Sequence, residues 1–364
     1  MTSSILGLDI GGANLKAATA DKRAVSVPFP LWKQPDKLPA ALAALVVQFP
    51  DAEELAVTMT GELCDCLETK RDGVHAIIKA VRFASGGRSI RVWSTDGAFL
   101  NSEEAKTNHL KVAAANWHAL ATFAGRYVPE GRAILIDIGS TTTDIIPILD
   151  GVPVPEGKTD YDRLFSQELV YTGVRRTPVC AVMPWLTAAE LFATTLDAYL
   201  ILGATPEDPN DRDTADGRPA TRKHAHARLA RMYCADAEMV PAENVRNLAE
   251  GIMGQQLGRI RDCLETVAGR LRAMPSNQVV DYALNLEIPQ FLAERLNDEE
   301  ANQVLGIVRA RHRIDYMVSG SGEFLAQRAI PRTHHTSLND ELGPSVSACA
   351  PAYAVAVLAA ERRT

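Results

Sequence analysis

Two apolar runs in this chain are interrupted in the same way, by an aspartate and then a turn of small residues. The first, ILGLDIGGANLKAATA, covers residues 5–20, and the second, ILIDIGSTTTDIIPIL, covers residues 134–149. In each run a buried-strand pattern reaches Asp, turns at glycine and becomes apolar again. This pattern predicts a β-hairpin with a carboxylate beside its turn. The sequence therefore contains two similar hairpins, one near its start and one well inside it.

The rest of the hydrophobic pattern alternates between strands and helices, which predicts an α/β fold. Further strands are predicted at 25–32, 55–59, 90–93, 279–286 and 314–318, and helices at 38–49, 102–124, 188–202, 221–234, 248–274 and 345–360. The turn-rich segment VPEGR, residues 128–132, is the best candidate for a domain boundary. We predict a first domain over 1–128 and a second over 129–364. The second carries helical insertions, and its C-terminal helix, 345–364, is a candidate to pack back on the first.

Composition narrows the classes of function. An apolar fraction of 46% with 23% charged residues is ordinary for a globular protein. A net charge of -7 argues against a general binder of nucleic acid or anionic membranes, although a local pocket for a small anion is allowed. The sequence shows no signal peptide and no run of the roughly 18 apolar residues that span a bilayer. With six scattered cysteines, we expect a cytoplasmic protein with reduced thiols.

The two hairpins have a chemistry suited to phosphate and a metal. A glycine turn reaches positive φ at little cost and can point successive N–H groups into an anion-binding concavity. A carboxylate repels bare polyphosphate but holds Mg2+, which binds phosphate oxygens. Asp9 and Asp137 are therefore the predicted metal ligands of a site divided between two domains. One Asp-x-Gly turn alone is more often structural, and the matching pair favours function. The predicted phosphate-binding residues are Gly11, Gly12, Asn14, Gly139, Ser140, Thr141 and Thr142.

The two hairpins resemble the phosphate motifs of the superfamily of actin, sugar kinases and heat-shock chaperones. Within it, the chain resembles the hydantoinase A/oxoprolinase branch, and more narrowly the tetrahydromethanopterin-linked one-carbon pathway proteins. The narrower resemblance rests on VTMTGELCDCLETKRDGV (57–74), AAANWHALA (113–121), YTGVRRTPV (171–179), ELFATTLDAYLILG (190–203) and DGRPATRKHAHARLARMYCAD (216–236). It implies two ribonuclease-H-like (actin-like ATPase) domains with a cleft between them.

The resemblance also implies a transferase of methanofuran biosynthesis rather than a kinase. Such an enzyme joins an aminomethyl-furanylmethyl diphosphate to the phenol oxygen of a γ-glutamyl-tyramine or tyrosine-derived acceptor and releases diphosphate. The predicted cofactor is the Mg2+ expected at the two hairpins. The predicted partners are small-molecule substrates, without nucleic acid or membrane, and a homo-oligomer is left open. A diphosphate leaving group needs a metal and N–H donors to stabilise its developing negative charge.

Further candidate residues lie beside the turns and at the ends of strands. Lys16 follows the first turn, and we expect its ammonium to face the diphosphate; an exposed strand lysine is the alternative. Glu62 follows a strand and is a candidate base for the phenol or a second metal ligand. The predicted catalytic set is Asp9, Lys16, Glu62 and Asp137, and the predicted substrate contacts are Thr60, Gly61, Asn116 and Arg175.

The sequence leaves two residue assignments open. Arg175 and its neighbour Arg176 both offer a guanidinium fork for phosphate or carboxylate. Gly320 and Gly322 follow a predicted strand, at a place that in the superfamily resembles the glycine pair bordering the adenosine. Here they are expected to contact the organic part of a substrate, although glycines also make ordinary strand-to-helix turns.

Rival functions also remain. An ATP-dependent small-molecule kinase or an oxoprolinase-like amidohydrolase would keep the same fold. Against them, the chain is shorter than the hydantoinase/oxoprolinase subunits, and its second turn reads Gly-Ser-Thr rather than Gly-Gly-Thr. A nucleotide-switched actin-like or chaperone-like module is the non-enzymatic alternative. Tight ATP binding would favour the first group, and filament formation would favour the second.

Overall fold

Two six-stranded sheets form the framework of the protein, seen in a computed structural model that describes residues 4–274, 313–331 and 334–362. The first sheet contains β1 (Ser4–Ile10), β2 (Asn14–Thr19), β3 (Ala24–Pro28), β4 (Ala52–Met59), β5 (Ser89–Trp93) and β6 (Phe99–Leu100). The second contains β7 (Arg132–Ile138), β8 (Thr143–Leu149), β9 (Val152–Pro153), β10 (Leu169–Val170), β11 (Ile314–Ser319) and β12 (His335–Ser337).

The two sheets share one topology. Their orders are β3-β2-β1-β4-β5-β6 and β10-β8-β7-β11-β12, with β9 also paired to β8. Each begins with an antiparallel hairpin, and the first strand of that hairpin then pairs in parallel with β4 or β11. The expected fold of two ribonuclease-H-like units is confirmed. The domain boundary after residue 128 stays a prediction.

The helices cover the sheets and the space between them. They are α1 (Leu38–Val46), α2 (Lys70–Ala84), α3 (Ser102–Thr107), α4 (His109–Val112), α5 (Asn116–Ala124), α6 (Asp160–Phe165), α7 (Val179–Val182), α8 (Thr195–Leu202), α9 (Arg222–Arg231), α10 (Ala242–Ala273), α11 (Glu323–Ala329), α12 (Leu338–Leu342), α13 (Pro344–Ser347) and α14 (Ala350–Glu361). Within the described ranges, none combines the length and apolar character that a bilayer crossing requires.

Several predicted elements are corrected by the structure. The helix predicted over 102–124 is broken into α3, α4 and α5, with Ala114 between them at a φ of 49°. The helix predicted from 188 begins only at Thr195, where Thr194 and Asp197 form a capping box. Helix α2 was not predicted; it begins after Thr69, whose hydroxyl accepts the N–H of Asp72. The strand predicted at 279–286 lies outside the described residues.

Strand alternation assigns the two sides of each sheet to different cores. In β1, Leu6, Leu8 and Ile10 pack in the outer core with α1 and α2, whereas Ile5 packs in the inner core. In β7 the even-numbered isoleucines face an outer core with α10 and α11, whereas Ala133 and Leu135 face the same inner core as Ile5. Because side chains alternate along a strand, Asp9 and Asp137 both lie on the inner faces.

Helices α5 and α14 fill the inner core between the sheets. The approach of α14 to β1 depends on a glycine, because a Cβ at Gly7 would overlap the carbonyl oxygen of Ala352. The alanine-rich sequence of α14 permits such close packing. The C-terminal helix therefore lies directly against the strand that carries Asp9.

Candidate active site

The two hairpin turns have the same backbone geometry. The N–H of Gly11 donates to the carbonyl of Asn14 over 3.0 Å, and that of Gly139 donates to the carbonyl of Thr142 over 2.9 Å. In the first turn, the carbonyl groups accept hydrogen bonds from a neighbouring segment. The N–H of Leu31 donates to the carbonyl of Gly12 over 2.9 Å, and the N–H of Phe29 donates to the carbonyl of Ala13 over 2.8 Å. In the second, Val174 N–H binds Gly139 at 3.1 Å, and the N–H groups of Arg175 and Arg176 bind Ser140 at 3.0 and 2.9 Å.

The amide donors at the tips of these turns are left available. Within the described residues, the N–H groups of Gly12, Ala13, Ser140 and Thr141 make no hydrogen bond. The carbonyl groups are held by neighbouring backbone while the amides are unpaired, which is the arrangement of an anion nest. The hydroxyls of Ser140 and Thr141 lie 3.4 Å apart on the rim of the second turn. Each turn therefore offers donors for phosphate oxygens.

The expectation that the turn glycines adopt positive φ is wrong. Gly11, Gly12 and Gly139 do not adopt positive φ. Close approach explains Gly12 instead, since a Cβ there would lie 2.7 Å from the sulfur of Cys64. Positive φ is found at Gly320, at 86°, where a Cβ would also lie 2.6 Å from Oδ1 of Asp137.

Equivalent positions of the two hairpins carry the charged groups. Asp9 pairs across β1 and β2 with Lys16, and Asp137 pairs across β7 and β8 with Asp144. Burial raises the pKa of Asp9, and Lys16 acts in the opposite direction. The pKa of Asp137 is raised to about 6, first by burial and then by Asp144, while Lys16 lowers it and Asp9 raises it. The two hairpins therefore face each other closely enough for Lys16 to act on both carboxylates.

These carboxylates fit a magnesium ion. Asp9 is only 5% exposed, and its Oδ1 has no hydrogen-bond donor in the described structure. Hard, unpaired carboxylate oxygens are ligands that Mg2+ prefers, and it typically takes one or two of them together with water and substrate oxygens. No group of three or more His, Cys, Asp or Glu that could hold a metal occurs among the described residues. Asp9 and Asp137 thus suit an ion completed by substrate, and the Mg2+ site stays a prediction.

The loop after β4 brings Glu62 to the first hairpin. The N–H groups of Thr60 and Gly61 both donate to the carbonyl of Ile10, over 2.9 and 3.0 Å. Glu62 is 1% exposed, and its Oε2 has no partner in the part of the chain that is described. Burial raises the pKa of Glu62 to about 7, against the lowering effects of Lys70 and the N–H of Ala114. A carboxyl with such a pKa can exchange a proton near neutrality.

A chain of charged side chains links Glu62 to the second hairpin. Lys70 Nζ lies 3.6 Å from Glu62 and 3.5 Å from Asp160, and Asp160 lies 3.7 Å from Arg163. Arg163 donates to Asp144 over 2.7 Å and stacks on the ring of Trp117. Sequence reasoning did not select Lys70, Asp144, Asp160 or Arg163. For Asp144 a signal existed, because it follows Asp137 at the same spacing as Lys16 follows Asp9.

The other predicted residues are placed as follows. Asn116 is the first residue of α5, two positions after the Ala114 N–H that lowers the pKa of Glu62. Gly322 donates its N–H to Ile138, so the 320–322 turn lies beside Asp137. Arg175 is not brought into the cluster, since Asp211 and Asp213 hold its guanidinium. Its role as a substrate contact stays a prediction.

Comparison with known proteins supplies the family. The family model described as hydantoinase/oxoprolinase matches residues 53–362. The (4-{4-[2-(gamma-L-glutamylamino)ethyl]phenoxymethyl}furan-2-yl)methanamine synthase of Methanocaldococcus jannaschii is 34% identical over 370 residues, covering 98% of each chain. The protein of the same name from Methanococcus vannielii is 38% identical over 128 residues, covering 33% of this chain and 57% of its own.

The fold is shared with an enzyme of known structure. Nucleotide-free acetone carboxylase superposes with a TM-score of 0.51 at 10% identity, over 98% of this chain and 70% of the other. At that identity the likeness concerns the fold alone. The family model matches most of the chain, and one relative is similar over its full length. This chain therefore belongs to the hydantoinase/oxoprolinase family.

Proposed function

We propose that this protein is a transferase of methanofuran-type cofactor biosynthesis. It joins an aminomethyl-furanylmethyl diphosphate to the phenol oxygen of a γ-glutamyl-tyramine or tyrosine-derived acceptor and releases diphosphate. The full-length relative is named for a phenoxymethyl-furan methanamine, which is an aryl ether of this kind. The observation that carries the proposal is the pair of facing turns with unpaired amides, with Lys16 acting on both aspartates.

Departure of diphosphate is the step that these turns serve. The bond between the furanyl methylene and the diphosphate oxygen breaks, and its electron pair leaves with the diphosphate. The unpaired N–H groups of both turns and the ammonium of Lys16 stabilise that negative charge. Mg2+, held by Asp9 and Asp137, would supply further neutralisation when bound. The furan ring shares the positive charge that develops on the methylene carbon.

Glu62 serves the acceptor. As the phenol oxygen forms its bond to the methylene carbon, the phenolic proton passes to Oε2 of Glu62, which has no hydrogen-bond partner among the described residues. Its burial and its pKa of about 7 suit it to act as a base at neutral pH. Atoms and charge then balance as ether, diphosphate and a proton held on Glu62.

The partners of this reaction are small molecules, and we place it in the cytoplasm. All six cysteines, which lie within the described residues, are free thiols, in keeping with a reducing compartment. The acceptor is derived either from tyramine or from tyrosine. Tyramine-derived and tyrosine-derived acceptors differ by one carboxylate, so a comparison of the two reveals whether a cation recognises it.

A mass-spectrometric assay tests the proposal. Purified protein is incubated with Mg2+, the furan diphosphate and either acceptor, and the ether and diphosphate should appear in equal amounts without ATP. Asp137→Asn should lower the rate about 100-fold or more, as expected for loss of charge stabilisation. Exposed Lys79→Met is a matched control that should keep full rate. Absence of ether from folded protein, with ATP turned over instead, would favour the kinase or amidohydrolase alternatives.

A further inference from the structure

Trp32 and Arg176 are each attached to one of the two anion-binding turns. Trp32 directly follows Leu31, whose N–H binds the carbonyl of Gly12 in the first turn. The backbone N–H of Arg176 binds the carbonyl of Ser140 in the second turn. Both residues lie outside the strands, one after β3 and the other after β10. Their positions are therefore fixed by the same contacts that shape the turns.

The two side chains meet across the site. The guanidinium carbon of Arg176 lies 4.5 Å from the centroid of the Trp32 ring, a cation–π contact between the two halves of the molecule. Arg176 also acts on the neighbourhood of the first turn: burial raises the pKa of Cys64 to about 11, and Arg176 works against that rise. The sulfur of Cys64 lies against Gly12. The positive charge of Arg176 is thus held near the amides of the first turn as well.

Arg176 differs from its neighbour because its charge has no ionic partner among the described residues. Arg175 is paired with two aspartates of the 204–221 segment. The guanidinium of Arg176 makes no hydrogen bond and no ion pair within the described ranges, and its contact is with the face of an indole. A cation–π contact between half-buried side chains is weaker than a charge-assisted, bidentate bond to a phosphate. A phosphate anion in the turns can therefore draw the guanidinium away from Trp32.

We propose that Trp32 and Arg176 form a two-part substrate subsite. In its anion half, Arg176 binds the diphosphate group, and in its ring half, Trp32 stacks on an aromatic ring of the substrate. In the free protein the guanidinium of Arg176 packs on the indole ring of Trp32. On binding, the guanidinium turns to the diphosphate and exposes the indole face to the ring. The ring half of this subsite rests on the proposed function, whereas the anion half needs only a diphosphate.

The anion half is tested with inorganic diphosphate and Mg2+, monitored by calorimetry and by tryptophan fluorescence. Diphosphate should change the fluorescence, because Arg176 leaves the ring of Trp32. Arg176→Met should weaken diphosphate binding about tenfold or more and abolish the change, and Arg176→Lys should restore only part of the affinity. Lys33→Met removes the same charge from an exposed neighbour of Trp32 and should leave the affinity within about twofold.

The source of the fluorescence change has its own controls. Trp93 and Trp117 are buried, and Trp185 is 66% exposed. Trp32→Phe should remove the change while calorimetry still detects diphosphate binding, and Trp185→Phe should retain it. An unchanged affinity in Arg176→Met, or a change that survives Trp32→Phe, would overturn the subsite.

The ring half is tested by kinetics. Trp32→Ala should raise KM for the furan diphosphate or the phenol about tenfold while leaving the affinity for inorganic diphosphate within about twofold. If diphosphate binds through Arg176 but no ether forms, the anion subsite stands and the proposed function fails. If ether forms with normal KM values in both variants, the function stands and the subsite fails.

Discussion

At the scale of single residues, the raised pKa of Glu62 leads most directly to a prediction about the reaction rate. Its carboxyl is buried, and its pKa is raised to about 7. As a base it must be ionised, so kcat/KM should rise with pH up to about 7 and level off above it. Glu62→Gln should remove this limb and lower kcat/KM about 100-fold or more. A pH–rate profile of both proteins measures the effect, and a limb with its midpoint near 7, above the pKa of about 6 of Asp137, that persists in Glu62→Gln would exclude Glu62 as the base.

Folding stability gives an independent check on the same carboxyl. A pKa raised in the folded state means that the folded protein holds this proton more tightly than the unfolded chain does. Its contribution is therefore most favourable below the unfolded value of 4.5 and is lost as the pH rises through about 7. Glu62→Gln should raise Tm above pH 7 relative to the parent, with the difference shrinking toward pH 5. A difference in Tm independent of pH would contradict the assigned pKa.

The residues that sequence could predict are those fixed by local pattern. Asp9 and Asp137 were found because strand periodicity and a turn define their places, and Glu62 because it follows a strand. Asp160 and Arg163 could not be found in this way, because both lie on α6, which only the tertiary fold brings to Lys70 on α2 and Asp144 on β8. Arg175 and Arg176 are adjacent, and only the fold reveals that Arg175 pairs with aspartates of the 204–221 segment whereas Arg176 contacts Trp32.

At the scale of elements, the contact between β1 and α14 is a test of close packing. A Cβ at Gly7 would overlap the backbone of Ala352, which no side-chain movement can relieve. Gly7→Ala should lower the free energy of unfolding by about 1–3 kcal/mol, measured by urea denaturation. Gly258→Ala is the matched control in α10, where, apart from the helix's own backbone, no atom of the described residues lies within 4 Å of the added Cβ and alanine favours the helix by about 0.5–1 kcal/mol. Equal effects of the two substitutions would show that the β1–α14 contact is not tight.

The broken helix between α3 and α5 shows where element prediction fails. Alanine-rich sequence favours one long helix over residues 102–124, and local propensity gives no reason to interrupt it. The chain instead places Ala114 at positive φ, and the N–H of Ala114 acts on the carboxyl of Glu62. The break thus coincides with a tertiary contact to Glu62, and a single-sequence pattern does not contain such contacts.

At the scale of the whole molecule, the internal repetition was predictable and the contact between the halves was not. Matching Asp-turn hairpins indicated two similar units, and both sheets have the expected topology. Which side chains meet across the halves depends on how the inner faces share one core. The ion pair of Lys70, on α2, with Asp160, on α6, is such a contact. It ties the surroundings of Glu62 to the second half of the molecule.

Removing either partner of the Lys70–Asp160 ion pair should shift the pKa of Glu62, and the two shifts should have opposite signs. Lys70 lowers the pKa of Glu62 and Asp160 raises it. Lys70→Met should therefore move the midpoint of the pH–rate limb above about 7, and Asp160→Asn should move it below that value. The direct ion pair is partly exposed, at 20% and 36%, so its own contribution to stability should be within about 1 kcal/mol.

The two shifts separate an electrostatic role from a merely structural one. Loosening of the fold would lower kcat in both variants without moving the midpoints apart. Lys79→Met, an exposed charge removed from the same helix as Lys70, should leave the midpoint in place. Added salt should shrink the Asp160→Asn shift, because partly exposed charges are screened. Shifts of the same sign in Lys70→Met and Asp160→Asn would mean that the second half of the molecule does not set the proton affinity of Glu62 through this pair.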